Sequence, residues 1–334
     1  MTIATYAQHG VETAEGVPTT RTRGELFGIE VDIGLPVWPV RAPSAASQGR
    51  RTIVEGSTGR ALEGLWRSAD PVRVFERLFP NGQRSLTVDY CPAVGYRVWA
   101  CRMGCHVVAA DGSQVLSVPS RLPLWVWQRL LFGQVLPLAA TLQGLELVHA
   151  SSVVVRDKTL AFSAVSGTGK TSLAAHLVAT GAALLTDDVL AVEVTPDGRV
   201  LAHPGGPLVA VAAAELERLA PNEVLRIGVP GGRGDKVMLK ANLVSGPSFL
   251  DAIYFLERTD TPGELSIESL PHDPLRPLAQ SFISYVRTRA RVRNQLKVCA
   301  ALTERVQMFS VAVPGGCPAS AVAAAITRHS EEHP

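Results

Sequence analysis

The hydrophobic and polar positions in the first third of the chain favour β-structure. Residues 1–24 are polar and show no periodicity, so we expect a flexible tail there. The stretch 41–59 is rich in Ser, Gly and Arg, which is typical of a loop. Between residues 85 and 118, four short runs of β-branched and aromatic residues are separated by turn signals such as Asp111-Gly112. This last pattern predicts an antiparallel β-meander.

The spacing of apolar residues then changes and indicates helices as well as strands. Over 123–142 the apolar residues recur at helical intervals, and Pro137 is expected to bend or end that helix. Two short apolar runs next predict a β-hairpin. The glycine-rich turn that follows the hairpin in sequence leads into a further helix and strand. These segments are 148–155 and 160–165 for the hairpin, 170–180 for the helix, 182–185 for the strand, and 278–301 and 320–329 for two later helices.

The length of 334 residues is enough for two domains, at roughly 150 residues per domain. With 46% hydrophobic and 19% charged residues, the composition is typical of a globular protein with a large core. The change of pattern puts the domain boundary near residue 145. We therefore predict an α/β protein in which the tail and a smaller β-rich domain over 25–145 precede an α/β domain over 146–334.

Charge and cysteine content exclude several classes of partner. A formal net charge of +2 gives no reason to expect a nucleic acid. The most apolar stretch, 133–150, is interrupted by polar residues before it reaches the ~20 residues needed to cross a bilayer. Five cysteines define no disulfide framework, and the spacing of Cys101, Cys105 and His106 matches no zinc motif. We expect a cytoplasmic protein that binds neither nucleic acid nor membrane.

The strongest chemical signal is a glycine-rich segment between an apolar run and a helical pattern. Residues 164–171 fit the Walker A spacing, with Ala164 in place of the first glycine. Glycines let the backbone approach phosphate oxygens closely, and the start of the next helix adds its positive end. Lys170 can reach the β- and γ-phosphates. The residues expected to bind ATP are Ser166, Gly167, Thr168, Gly169, Lys170, Thr171 and Ser172.

Two adjacent carboxylates follow the next predicted strand and favour phosphoryl transfer over binding alone. An apolar strand ending in an acid near the phosphate loop is the Walker B arrangement, in which the acid and the Thr171 hydroxyl ligate Mg²⁺. Asp187 and Asp188 provide one carboxylate more than metal binding requires. A second carboxylate can accept the proton of an attacking hydroxyl. His149, which precedes the hairpin, is by itself more typical of a structural histidine.

The run from His149 to Val189 resembles the catalytic domain of the HPr kinase/phosphorylase family. It has the same series of histidine, hairpin, phosphate loop, helix and Asp-Asp pair, and the separations of His149, Lys170 and Asp187 match. The loop is also similar to that of ATP-dependent phosphoenolpyruvate carboxykinase. The resemblance implies a P-loop kinase domain of the HPr kinase/phosphoenolpyruvate carboxykinase type that uses ATP and Mg²⁺.

The same resemblance implies a role for each matched residue. Asp187 would be the general base, Asp188 and Thr171 would hold the metal, and His149 and Lys170 would complete the catalytic set. The opposite assignment of the two aspartates stays open. The signature that accompanies phosphorylase activity and hexamer assembly in that family does not follow Asp188, so we expect a kinase without phosphorolysis.

The sequence does not identify the molecule whose hydroxyl group accepts the phosphate. Related proteins found beside lasso-peptide and other natural-product genes phosphorylate a serine of a precursor peptide. A serine or threonine of a peptide or protein, recognised by the β-rich domain, is therefore the first expectation. A free amino acid or another small hydroxylated metabolite is the alternative, and an ATP-binding regulatory protein without transfer is the second. Arg233 and Lys236 are candidates for substrate or phosphate contacts, and a homo-oligomer remains an open alternative to a monomer.

Overall fold

The computed structural model of the chain describes residues 21–43, 49–67, 70–165, 167–230 and 235–332. The fold is mixed α/β with several sheets, as the sequence predicted, and it divides into two compact units. The first unit contains the described residues up to Leu145 together with Ile283–Arg291. The second unit contains Glu146–Phe282 and the chain from Val292 onward.

Eight of the described strands form the sheet of the first unit. In chain order they are β1 (Thr22–Leu26), β2 (Ile29–Ile33), β3 (Arg51–Gly56), β4 (Val72–Leu78), β5 (Arg84–Cys91), β6 (Gly95–Ala100), β7 (Gly104–Val108) and β8 (Gln114–Pro119). Their spatial order is β1-β2-β3-β8-β7-β6-β5-β4. The pairs β2–β3 and β3–β8 are parallel, and the other pairs are antiparallel.

The sheet confirms one prediction and corrects two. Strands β5 to β8 form the predicted meander, because each pairs antiparallel with the next. The predicted tail is too long, because Thr22–Leu26 pair with β2, while residues 1–20 lie outside the described chain. The predicted loop over 41–59 contains β3, whose Thr52 and Val54 are buried. Thr52, Ile53 and Val54 are β-branched and favour a strand, a signal that the Ser, Gly and Arg of the surrounding stretch obscure, and β2 and β8 pair with this strand on its two sides.

Helices complete the first unit. They are α1 (Gly59–Arg67), α2 (Leu124–Leu130), a π-helical turn (Leu131–Val135) and α3 (Leu136–Leu142). Leu62, Leu65 and Trp66 bury the apolar face of α1 against the sheet. The predicted helix over 123–142 forms, but Pro137 does not end it. The ring stands in the first turn of α3, where a missing backbone N–H is tolerated, directly after the π-helical turn.

Twelve described strands form the two sheets of the second unit. The large sheet contains β9 (Glu146–Val148), β10 (Ala150–Val155), β11 (Lys158–Ser163), β12 (Ala183–Thr186), β13 (Leu190–Val194), β14 (Val200–His203), β18 (Ser248–Arg258), β19 (Ser266–Ser269) and β20 (Gln307–Val313). The small sheet contains β15 (Leu208–Ala212), β16 (Val229–Pro230) and β17 (Lys236–Lys240).

The central strands of the large sheet lie in the order β12-β10-β11-β18. β10 and β11 form the predicted hairpin, turning at Arg156 and Asp157, which both have positive φ. β12 is antiparallel to β10 and therefore runs in the same direction as β11. On the other side of β11, β18 is parallel to it, and β20 is parallel to β18. The ends of β11, β12 and β18 consequently point toward the same edge of the sheet.

Helices cover both faces of this sheet, which is the usual arrangement for parallel strands. The helices of the unit are α4 (Lys170–Ala179), α5 (Ala213–Leu216), α6 (Pro221–Ile227), α7 (Leu275–Ala279), α8 (Arg289–Arg305) and α9 (Ala319–Glu332). The first residues of α8 belong to the first unit. On one face Phe162 and Tyr254 pack with Leu173 of α4 and Ile326 of α9. On the other face the core includes residues of α8 such as Leu302. Among the described helices, none is both long enough and apolar enough to span a membrane.

Two predicted boundaries in the C-terminal part are wrong. The helix expected over 278–301 is instead two helices, α7 and α8, with non-helical chain between them. Part of that chain, Ile283–Arg291, belongs to the first unit, so the domain expected over 146–334 is not contiguous. The reason lies in Tyr285, whose ring packs 5.6 Å from that of Phe75 and 6.4 Å from that of Tyr96, measured between centroids. Large aromatic contacts of this kind favour docking of the segment.

Candidate active site

The glycine-rich loop joins the end of β11 to the start of α4. Gly167 and Gly169 have φ values of 89° and 110°, which side chains with a Cβ rarely adopt. A Cβ added to Gly167 would meet nothing within 4 Å, so the backbone there is open to a ligand. The N-terminus of α4 has no side-chain cap. Its first N–H groups are therefore available to an anion.

Lys170, the first residue of α4, folds back onto its own loop. Its Nζ donates a hydrogen bond of 2.8 Å to the carbonyl oxygen of Ala164, the residue at the first-glycine position. The Lys170 side chain is buried, and this burial lowers the pKa of the ammonium group, although Asp188 and Asp187 act in the opposite direction. The ammonium group thus lies at the loop and near both aspartates.

Asp187 follows β12 and is held on both carboxylate oxygens. Its Oδ1 accepts hydrogen bonds from Ser151 Oγ at 2.7 Å and from Thr171 Oγ1 at 2.9 Å. Its Oδ2 lies 3.4 Å from the backbone N–H of Ala210. Burial and the charge of Asp188 raise the pKa of Asp187, and these hydrogen bonds only partly offset the rise. The carboxylate therefore stands where a nearby cation would stabilise it.

Asp188 points a different way, because its backbone has a φ of 69°. Its side chain is 60% exposed, and Oδ1 pairs with His149 Nε2 at 2.9 Å. Loss of solvent around Asp188 would raise its pKa. The hydrogen bond from His149 and the charges of His149, Lys170 and Lys236 outweigh this effect, and the pKa lies below its usual value. The carboxylate is therefore ionised at neutral pH and open to solvent.

His149 lies between β9 and β10 and is positioned by its backbone. Its N–H donates to the carbonyl oxygen of Gln280 at 2.8 Å, and its own carbonyl oxygen lies 3.2 Å from Ser163 Oγ. Ser163 Oγ also lies 2.8 Å from Gln280 Oε1. The imidazole packs near the ring of Phe282, at 5.8 Å between centroids. These contacts leave Nε2 directed at Asp188.

The structure brings most of the predicted site residues together. Lys170, Thr171, Asp187, Asp188 and His149 are linked by the contacts described above, and Gly167, Thr168 and Gly169 form the loop beside them. Ser172 follows in the first turn of α4. Lys236, at the start of β17, is exposed, and its charge affects the pKa of both Lys170 and Asp188. Ser166 and Arg233 lie outside the described residues.

Sequence reasoning missed several groups that contact this site. Ser151 lies near the start of β10, two residues after His149, and donates to Asp187 Oδ1. Its closeness in sequence to His149 is the one signal that could have indicated it. The backbone N–H of Ala210 and the side chain of Gln280 come from distant segments and carry no local signal. Arg258 ends an apolar run and lies beside the loop, with Nε 3.4 Å from the carbonyl oxygen of Thr168.

The residues present fit a magnesium ion bound with a nucleotide. Mg²⁺ prefers oxygen ligands and is commonly held by one or two carboxylates together with phosphate oxygens. Thr171 Oγ1 and the Asp187 carboxylate supply two such oxygens side by side. Within the described chain, no group of three or more His, Cys, Asp or Glu side chains is arranged to hold a metal. Thr171 and Asp187, whose oxygens are adjacent, are the residues that would hold the ion.

Comparisons with known proteins add little to this site. No family model matches the sequence, and no curated protein is detectably similar to it. Among solved structures, the fold is similar to the Hpr(Ser) kinase/phosphatase from Coxiella burnetii, with a TM-score of 0.31 and 10% sequence identity. That match covers 56% of this chain and 95% of the other. A likeness at this level is too weak to support a function, which has to rest on the residues themselves.

Proposed function

We propose that the protein is an ATP- and Mg²⁺-dependent kinase that transfers the γ-phosphate to a serine or threonine hydroxyl of a peptide or protein. The observation that carries the proposal is the junction at the end of β11 and β12. There Thr171 contacts Asp187 while Asp188, next in sequence, is turned outward and pairs with His149. A phosphate loop with one acid facing it and a second acid facing solvent suits transfer better than binding alone.

The loop residues supply the binding of the phosphate chain. Backbone N–H groups at Gly167, Gly169 and the first turn of α4 can donate to phosphate oxygens, and the positive φ values keep the backbone accessible. Lys170 adds a cation. A bound Mg²⁺ would neutralise part of the phosphate charge, and Thr171 and Asp187 would hold it.

We assign the general base to Asp188, which is the assignment of the two aspartates that the sequence left as the alternative. Both oxygens of Asp187 already face hydrogen-bond donors, and Thr171 ties this residue to the loop. Asp188 instead exposes its ionised carboxylate, which an acceptor hydroxyl can approach from solvent. His149 orients it through Nε2. The proton of the acceptor hydroxyl would pass to Asp188 as the oxygen attacks the γ-phosphorus, and the bond from that phosphorus to the β–γ bridging oxygen would break to release ADP.

The openness of the site favours a large acceptor. Asp188 is 60% exposed and the side chain of Val165 in the loop is 81% exposed, so a residue carried on a peptide could reach the carboxylate. The β-rich unit is proposed to select that acceptor, in keeping with its separate sheet. A small hydroxylated metabolite is the competing acceptor, and the test below separates the two.

Transfer of label from γ-labelled ATP to serine- and threonine-containing peptides, and to free amino acids, tests the proposal. Asp188→Asn should lower turnover by about 10²- to 10⁴-fold while ATP still binds. Asp197→Asn, in an exposed turn, is the control and should leave turnover unchanged. Full transfer by the Asp188→Asn variant would overturn the base assignment. Tight ATP binding without transfer to any acceptor would indicate a regulatory protein, and label on free amino acids alone would indicate a small-molecule kinase.

A further inference from the structure

Arg258 stands beside the phosphate loop on the side opposite the aspartates. It is the last residue of β18, which runs parallel to β11 with Ser163 opposite Phe255. After Ser163, the chain leaves β11 and enters the phosphate loop. Three residues after Phe255, β18 ends at Arg258. Asp187 follows β12, which lies on the other side of β11, beyond β10. The order of strands therefore places the loop between an acidic edge and this arginine.

Within the described residues, the guanidinium of Arg258 is held by neutral groups. Nε lies 3.4 Å from the carbonyl oxygen of Thr168, and Nη1 donates to the carbonyl oxygen of Cys317 at 3.1 Å. Nη2 lies 3.9 Å from the position that a Cβ on Gly169 would occupy. No carboxylate of the described chain forms an ion pair with Arg258, whereas Arg156 pairs with Glu331.

An exposed guanidinium without a carboxylate retains both its charge and unused donors. Arginine carries five N–H donors in a planar fork that matches phosphate oxygens, and two of the five are accounted for here. The contacts to Thr168 and Cys317 limit its rotamers, so less entropy is lost when a further hydrogen bond forms. The unused edge, which carries Nη2, lies next to Gly169 in the loop.

We propose that Arg258 binds the phosphate chain of the nucleotide from the β18 side of the loop. This inference rests on the proposed function, because it needs a nucleotide in the loop. Lys170 would then contact the phosphates from within the loop and Arg258 from its flank. Arg258 would contribute chiefly to the affinity for ATP and ADP, since Asp188, the proposed base, lies on the other side of the loop.

A purely structural role is the competing explanation, because Arg258 also bridges two backbone carbonyls. The two roles differ in their response to salt. A direct contact between a guanidinium and a phosphate is screened by ions, so losing it makes the affinity less dependent on salt. If Arg258 only connects the carbonyl oxygens of Thr168 and Cys317, its loss would shift the loop and lower the affinity for the nucleotide without removing an ionic contact. The slope of log Kd against log salt should then stay as in the wild type.

The test measures the Kd of ATP and ADP, with Mg²⁺, by calorimetry at several salt concentrations. Arg258→Gln should raise both values about 10-fold or more and make their salt dependence shallower, because a charge-assisted hydrogen bond to phosphate is lost. Arg258→Lys keeps the charge but loses the fork, so it should fall between Arg258→Gln and the wild type. Arg156→Gln, at the opposite end of β10 and β11, is the matched control and should bind as the wild type does.

The remaining outcomes contradict either the role of Arg258 or the proposed function as a whole. Unchanged affinity in Arg258→Gln, or weaker affinity with an unchanged salt slope, would overturn the role of Arg258 alone. A wild-type protein that binds neither ATP nor ADP would overturn the proposed function and this inference with it. Circular dichroism and thermal unfolding of each variant show whether it is folded. If Arg258→Gln is not folded, the affinity of Arg258→Lys decides alone, and a Kd equal to that of the wild type would overturn the role of Arg258.

Discussion

Thr171 Oγ1 donates a hydrogen bond of 2.9 Å to Asp187 Oδ1, which ties the first of two adjacent aspartates to the phosphate loop. Asp188 is only one peptide further along, but its positive φ turns it away to pair with His149. Two carboxylates that are neighbours in sequence thus have different partners, different exposure and opposite pKa shifts. The environments of paired acids commonly distinguish their roles in this way.

Removal of the Thr171 hydroxyl tests the metal site. Thr171→Val keeps the shape of the side chain but loses the ligand oxygen, so Mg²⁺ should no longer strengthen ATP binding. Turnover should fall by about 100-fold. Thr171→Ser keeps the hydroxyl and should retain most of both properties. Calorimetry of ATP binding with and without Mg²⁺ measures the effect, and an unchanged Mg²⁺ effect in Thr171→Val would remove Thr171 from the proposed site.

The raised pKa of Asp187 predicts that this residue destabilises the fold at neutral pH. A carboxyl group whose folded pKa lies above its unfolded value of 3.8 binds more protons in the folded state, so its contribution to stability falls as the pH rises through that window. Asp187→Asn removes the charge and should raise the melting temperature at pH 7, measured without added Mg²⁺ and nucleotide. A melting temperature equal to or below that of the wild type would contradict this.

The lowered pKa of Asp188 predicts the opposite effect on the stability of the fold at neutral pH. Its folded pKa lies below 3.8, so the ionised form stabilises the fold above that value, and the contribution is lost as the pH falls through the folded pKa. Asp188→Asn should therefore lower the melting temperature at pH 7, and the loss should disappear in acid. Asparagine tolerates a positive φ, so the comparison with Asp187→Asn isolates the charge. Thermal unfolding from pH 3 to pH 7 measures both variants.

The backbone of Asp188 supports a prediction that does not depend on charge. Glycine adopts a φ of 69° without steric cost, whereas alanine does not. Asp188→Ala should therefore be less stable than Asp188→Gly by about 1 kcal/mol, although both variants lose the same carboxylate. Urea unfolding provides the two free energies. Greater stability of the alanine variant would show that residue 188 has a different backbone conformation in solution.

His149 should set the pH at which activity is lost in acid. The hydrogen bond from His149 lowers the pKa of Asp188, so His149→Phe should raise that pKa toward its usual value. The acidic limb of kcat/KM should then move to higher pH, in addition to a fall in turnover at pH 7. If the limb stays in place while turnover falls, His149 acts on another group and Asp188 is not the titrating base.

The elements around the loop could be predicted because the residues that form them are neighbours in sequence. Apolar runs on both sides of Arg156 and Asp157 specify the hairpin, and Gly167 and Gly169 mark the turn that leads into α4. Each of these signals is complete within about 20 residues. Local patterns of this kind are the ones that sequence reasoning recovers most reliably.

The remaining features depend on contacts between distant parts of the chain. The neighbours of β3 in the sheet, β2 and β8, come from separate parts of the chain, and the composition of the whole stretch 41–59 obscured the β-branched residues of β3 itself. Arg258 reaches the loop only because β18 lies next to β11, a pairing that no local pattern encodes. The choice between Asp187 and Asp188 likewise depends on one backbone angle and on which side Thr171 approaches.

The bond from Lys170 to the carbonyl oxygen of Ala164 has a consequence for ligand selectivity. A phosphate that takes up this ammonium group has to replace an existing hydrogen bond, so only the difference between the two contacts adds to affinity. A small monoanion, which offers Lys170 little more than the carbonyl does, should gain almost nothing. A polyphosphate recovers the loss through several loop amides at once. The loop therefore discriminates by the length of the anion as well as by its charge.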